Sequence, residues 1–305
     1  MIKILKYNEI DFNRYSQCLA NSCQNADYAD QNFLDIVSKK QWFLLVSGDY
    51  EAIMPVSYIR KFGFIIILMP KICQQLGVFS TKDDTKTNKL FYDFLEKNFL
   101  VSNYAFNGDN SFDDDLKRKT SYLLIANDYS TIKKNYSSHR RRNVRIIGDL
   151  VGNMTTRNVL QKSDQEFFLK NVKGASNEKD AAIYFDLLKE LLEKNIGHLR
   201  IIEFKNKIQS LVYLYEGQNN RYLSLFINES PSVNPNFPSI MIDYSLQEFI
   251  GDKNFDFMGS EVQNVAQFNE RFGADSYQYS VIANSKITLL KNIAKRFRNM
   301  TNFAP

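Results

Sequence analysis

Phe255-Asp256-Phe257-Met258-Gly259-Ser260-Glu261 reads as a short apolar strand running into a Gly-Ser turn, and glycine at a strand end lets the backbone bend sharply. Ala105-Phe106-Asn107-Gly108 has a similar pattern earlier in the chain. The two stretches are roughly 150 residues apart, about half of the 305 residues, and the hairpin turns near Gly48-Asp49 and Asn206-Lys207 have a similar offset. The elements around them repeat as well. In the first half, helical spacing at 11–22 and 32–40 leads to extended runs at 42–46, 52–58 and 64–69. A helical stripe at 86–99, built on Leu90, Phe91, Phe94 and Leu95, then precedes extended runs at 103–106 and 122–125. In the second half, helical patterns at 164–172 and 180–194 precede strands at 199–204, 208–215 and 222–227. A helix at 239–250, a strand at 255–257, a short helix around 262–272 and a strand at 277–283 follow. This order predicts an α/β chain, more closely an α+β mixed sheet with a largely antiparallel hairpin region, present twice. The tandem domains are expected at 1–140 and 150–305, joined by a basic helix at about 128–149.

Composition narrows the function. A content of 24 Phe and 17 Tyr against 12 Gly and 6 Pro excludes a disordered or linker-like chain. The longest apolar run, 62–70, falls well short of the roughly 20 residues that cross a bilayer, so it reads as a buried strand. The N-terminal MIKILKYNEIDF has no signal-peptide pattern, and the expected compartment is the cytoplasm. Cys18, Cys23 and Cys73 form no C-x-x-C pair and read as free thiols. With only His139 and His198, a multi-histidine metal site is excluded, and no metal is expected. Neither G-x-S-x-G nor the P-loop pattern occurs. A net charge of +5 with 34 acidic residues argues against a large nucleic-acid footprint, and DNA is not an expected partner.

The densest charge lies at 133–145, where His139, Arg140, Arg141, Arg142 and Arg145 fall within seven residues. Such groups repel one another unless an anion sits among them. On a helix, Arg141 and Arg145 share a face, with Val144 and Ile147 on the apolar side. This predicts a phosphate-binding helix; the competing reading is a solvated helix whose arginines pair with acids such as Asp113 and Asp115. At the other cluster, Glu261 would stand at the mouth of the strand ending in Gly259-Ser260, where crevices of open sheets bind ligands. Phe268 and Phe272 read as core packing.

The segment 138–147 resembles the S-x-K-x-R-x-N-I-R-K motif, and 255–259 with 268–273 resembles the D-F-x-G and F-K-x-x-F-G motif, of FemABX-like proteins in the GNAT acyl-CoA N-acyltransferase superfamily. The stretch 71–80, KICQQLGVFS, looks like a marker of a Bacteroidetes-type branch. The resemblance implies two tandem GNAT folds with the arginine helix between them. It also implies an acyl or aminoacyl transferase whose donor is acyl-CoA or aminoacyl-tRNA, with no permanently bound cofactor. The partner is then a phosphorylated small molecule or cell-wall precursor, with tRNA as a further candidate. The chain departs from the pattern at Asn269, where the family often has Lys, and has no long heptad arm. Gln74-x-x-Gly77-x-Phe79 matches the GNAT pyrophosphate loop only in part.

Amine acylation needs a base for the amine proton and a donor for the tetrahedral oxyanion. Glu261 is the candidate base, with Asp243 and Asp256 behind it and Tyr222 as acid or orienting group. Arg141, Arg145 and Arg271, with Asn269 and Ser260, are the candidate phosphate or substrate contacts. Two other functions compete: a catalytically silent tandem GNAT fold that binds a phosphorylated ligand, and an RNA-binding protein built on the arginine helix. The C-terminal segment 285–298 has an apolar stripe of Ile287, Leu290, Ile293, Ala294 and Phe297 among cations. It packs on the body or touches anionic lipid or RNA.

Overall fold

The computed structural model describes residues 2–61, 63–113, 115–145, 150, 153–259 and 262–301. The chain divides into two compact units, one of Met1–Lys119 with Gln278–Pro305 and the other of Thr120–Tyr277.

In the first unit, strand β1 (Ile2–Lys6) is followed by helices α1 (Phe12–Ala20) and α2 (Gln31–Ser38), capped by the Asp11 and Asp30 carboxylates. Strands β2 (Trp42–Ser47), β3 (Ala52–Lys61) and β4 (Phe64–Ile67) come next. A short β5 (Phe79–Ser80), α3 (Thr85–Asn98), β6 (Leu100–Val101) and β7 (Asn103–Ala105) complete the run. The sheet order is β1-β2-β3-β4-β6, with β5 beside β3. Neighbours are antiparallel except β4 and β6, which pair in parallel through Ile66–Leu100 and Ile67–Val101. Trp42 to Val46 are all buried, as befits a strand in the middle of a sheet covered on both faces.

The second unit begins within β8 (Lys117–Leu124) and continues through two short helices, α4 (Tyr129–Asn135) and α5 (Ser138–Asn143). Strand β9 (Met154–Arg157), helices α6 (Asp164–Asn171) and α7 (Glu178–Glu193), and strands β10 (His198–Phe204), β11 (Lys207–Glu216) and β12 (Asn220–Asn228) follow. Then come α8 (Phe237–Phe249), β13 (Asn254–Asp256), α9 (Gln263–Glu270) and β14 (Asp275–Ala283), with α10 (Lys286–Thr301) last. The sheet runs β9-β10-β11-β12-β13-β8. Its one parallel pair is β12 with β13, through Asn220–Asn254, Arg221–Phe255 and Tyr222–Asp256. Each unit therefore builds strand, two helices, three antiparallel strands, a helix and a parallel strand; from the two helices onward this follows the repeated order expected from the sequence, whereas the opening strand β9 of the second unit does not.

The division differs from the expected cut between 140 and 150. The latter part of β14 belongs to the first unit, where Val281, Ile282 and Ala283 pair with Ala105, Tyr104 and Asn103 of β7. A cut along the sequence cannot express a strand borrowed from the far end of the chain. The basic segment also differs: it lies in the second unit as two helices. Tyr136 turns to extended backbone and Ser137 caps α5 by accepting from the Arg140 N–H at 3.1 Å. A serine with an open backbone N–H to satisfy competes with continuation of the helix, and here it wins.

Candidate functional site

Three neighbouring arginines of the basic segment have different surroundings. Arg140 is 1% exposed, and its guanidinium packs against both the Phe268 and Phe272 rings, 4.1 and 4.0 Å from their centroids. It donates to Ser239 Oγ and, at 2.9 Å, to the Phe268 carbonyl. Burial pushes its pKa down to about 10, and the Arg271 charge adds to the effect. Arg141 donates through Nη1 to the carbonyls of Tyr136 at 2.6 Å and Lys134 at 3.1 Å, so it closes the C-terminal end of α4. Arg145 follows the end of α5 and is exposed. Among the described residues no carboxylate is within ion-pair distance of Arg141 or Arg145.

Arg141 and Arg145 line one cleft of about 600 Å³ in the second unit, together with Tyr129, Lys133, Val144, Asp243, Tyr244 and Gln247. Asp243, on α8, is buried. The Tyr129 hydroxyl donates to it at 2.8 Å, Lys133 Nζ donates to the Tyr129 oxygen at 2.9 Å, and the same ammonium stands 3.9 Å from the second Asp243 oxygen. Burial and then the Asp243 carboxylate hold the Tyr129 hydroxyl well above its ordinary pKa, so it is a proton donor at neutral pH. Burial and the same carboxylate raise that of Tyr136. The carboxylate is thus already partnered at the base of the cleft, while the two guanidiniums remain available for a further anion.

The other expected site residues lie elsewhere. Tyr222 is buried in β12, its ring 5.7 Å from that of Tyr215, and it accepts from Asn220 at 3.1 Å. Asn269 is buried, and its Nδ2 has no hydrogen-bond partner among the described residues. Arg271 is exposed and uses its carbonyl to accept from the Ser137 N–H at 3.0 Å. Ser260 and Glu261 lie outside the described residues. The structure thus brings Arg141, Arg145 and Asp243 together, and does not add Tyr222, Asn269 or Arg271 to that cleft.

Asp256 ends the parallel strand β13 and is buried. It accepts from Ser121 Oγ at 2.9 Å, from the Met258 N–H at 2.6 Å and from the Tyr277 hydroxyl at 2.7 Å. Burial outweighs these three donors and pushes its pKa up to about 6. The parallel pairing stops at Tyr222–Asp256, so the two strands part beyond this carboxylate.

Sequence reasoning did not single out Arg140, Tyr129 or Lys133. Arg140 had a signal, since two phenylalanines four apart can hold one guanidinium, but that signal needs the fold to bring them to the arginine. In the first unit, Gly77 has φ +119, and an added Cβ would lie 2.3 Å from Asn110 Oδ1, so the turn requires glycine. The N–H groups of Gly77, Val78 and Ser80 donate to Tyr104, Asn110 and Gln24 side chains. These amides are occupied by the protein itself. A second cavity, about 940 Å³, carries two ion pairs in its wall, Arg200 with Glu248 and Lys189 with Glu193. No group of ligands suited to a metal occurs among the described residues.

The two units together define a mixed α/β protein of two GNAT-like domains. The crystal structure of FemX superposes with a TM-score of 0.59 at 9% identity, over 91% of this chain and 96% of that one. A tandem GNAT protein from the clavulanic acid biosynthesis pathway gives 0.56 at 7% identity, over 92% and 97%. L-PGS from Bacillus licheniformis gives 0.50 at 10% identity, over 96% and 97%. No family model and no curated protein matches the sequence. The FemABX-like and tandem GNAT fold expected from the motifs is thus the fold found, and at these identities the likeness is one of fold.

Proposed function

We propose that the protein is an N-acyltransferase or aminoacyltransferase that moves an acyl group from a CoA thioester or charged tRNA to an amine. The observation that carries this reading is the cleft where Arg141 and Arg145 stand without acidic partners among the described residues, beside an Asp243 already held by Tyr129 and Lys133. Similarity in fold to FemX and to a tandem GNAT protein supports it. In this reading Arg141, Arg145 and Lys133 hold phosphate of the donor or of a cell-wall precursor, and Asp243 positions Lys133 through Tyr129. Glu261 is the proposed base for the amine, with Ser260 next to it in sequence, and with Arg271, Asn269 and Tyr222, outside the anion cleft, as secondary contacts. The occupied amides of Gly77, Val78 and Ser80 favour the second unit for the donor phosphate. We place the protein in the cytoplasm and in a Bacteroidetes-type branch, on the sequence features alone; no helix among the described residues is long and apolar enough to cross a membrane.

Purified protein should be screened for binding of CoA, acyl-CoA, charged tRNA and nucleotide-sugar precursors, then for transfer to amines. Replacing both Arg141 and Arg145 by Ala should weaken the phosphorylated ligand by at least tenfold with little change in melting temperature. Glu261→Gln should slow transfer by roughly 10²–10⁴-fold, the range for losing general-base assistance, while binding is retained. The second reading is a silent phospholigand binder, favoured by Asn269 in place of lysine and by the occupied loop amides. Binding without transfer to any amine, and no effect of Glu261→Gln, would select it.

A further inference from the structure

Helix α10 starts on Ser285, whose Oγ accepts from the Thr288 N–H at 3.1 Å and whose carbonyl accepts from the Leu289 N–H at 3.0 Å. Within the first unit it rests beside β6, with Leu289 and Ile293, four residues apart, half-buried. Ile287 and Leu290, three apart, are 66% and 65% exposed, and Lys286 and Lys291 beside them are exposed as well. The sequence of the helix holds five cations, Lys286, Lys291, Lys295, Arg296 and Arg298, and no acid. The whole chain is nearly balanced at 39 basic to 34 acidic residues, so this concentration is local.

We propose that α10 docks the protein on a bilayer containing anionic phospholipid, lying along the surface with Ile287 and Leu290 beneath the headgroups. At about 1.5 Å per residue its 16 residues span roughly 24 Å, and it is too short and too charged to cross. Charge complementarity selects the occupant. Lysines beside an apolar pair place ammonium groups at the phosphate level while the aliphatic side chains enter the acyl boundary. An RNA strand would meet the cations and leave Ile287 and Leu290 in water. The inference does not depend on the transferase reading.

The test is co-sedimentation of the full chain with vesicles of phosphatidylcholine alone and of phosphatidylcholine mixed with phosphatidylglycerol. Wild type should partition onto the mixed vesicles and stay in solution with phosphatidylcholine. The double change Ile287→Ser, Leu290→Ser should lower that partition at least tenfold, with an unchanged melting curve as the check that the fold is intact. Lys286→Gln and Lys291→Gln should each weaken it about fivefold, the loss expected for one cation near an anionic surface. Wild type that ignores both vesicles, or a serine variant that partitions like wild type, overturns the proposal. Equal binding of single-stranded RNA by wild type and the serine variant, with no vesicle partition, overturns it in favour of nucleic acid.

Discussion

Arg140, Arg141 and Arg145 show how little residue type alone decides. A cation packed against two aromatic rings is stabilised by their quadrupoles, and Arg140 also leaves two acceptors unsatisfied if removed. Arg140→Ala should therefore cost about 3 kcal/mol of stability in urea titration, whereas Arg141→Ala should cost under about 1 kcal/mol and act on ligand binding instead. Asp256 gives a prediction in pH. Its native pKa of about 6 lies above the ordinary value of 3.8, so the native state holds its proton more firmly than the unfolded chain does. Its stabilising contribution is complete below about pH 4 and is lost as pH rises through about 6, a change of about 3 kcal/mol. The stability difference between wild type and Asp256→Asn, from urea midpoints at the two ends of that window, should shrink by that order as pH rises. A difference that stays constant would show that the carboxyl is ionised throughout.

At the level of elements, what the sequence made legible was set by periodicity. The helical stripe at 86–99 became α3, and the apolar run at 42–46 became β2, because each has one clear apolar pattern to bury. Strand β9, Met-Thr-Thr-Arg, has no alternation of apolar residues and was not foreseen; its place is set by pairing with β10 and by Arg157, which binds Asp164 and Glu203. The break between α4 and α5 was missed for a related reason, since it depends on one serine cap within a charged run. Ser137→Ala should cost about 1 kcal/mol and shift Arg141 away from the α4 carbonyls, lowering phospholigand affinity along with stability. In the first unit, Gly77→Ala forces a side chain against Asn110 and Asn107 at positive φ and should cost about 3 kcal/mol, read from the thermal midpoint.

At the scale of the whole molecule, the repeat was visible in the order of elements and in the two Gly-ended strands. The boundaries were not, because domain reading along a sequence assumes contiguous pieces. Val281 and Ile282 close onto Tyr104 and Ala105, and Asn284 donates through its side chain to the Val101 carbonyl at 3.0 Å. A fragment of residues 120–277 should unfold cooperatively on its own, while a fragment ending at residue 140 should lack a cooperative transition. Circular dichroism melts of the two fragments check this, and a cooperative melt of the shorter piece would show that β14 is dispensable to the first unit. Of the site, the arginine pair and Asp243 could be named from sequence, whereas Tyr129 and Lys133 could not, since their roles exist only once α4 lies against α8.

The borrowed strand also sets an order of events during synthesis. The first unit is begun at the N-terminus, yet its closing strand leaves the ribosome only after the whole of the second unit has been made. At about 5–20 residues per second, the roughly 160 intervening residues delay closure by about 10–30 s. Through that interval the edge of β7 has no β14 to pair with, and nascent chains are exposed there to strand addition by other polypeptides. Translation therefore leaves the first unit, begun before the second, to be finished after it.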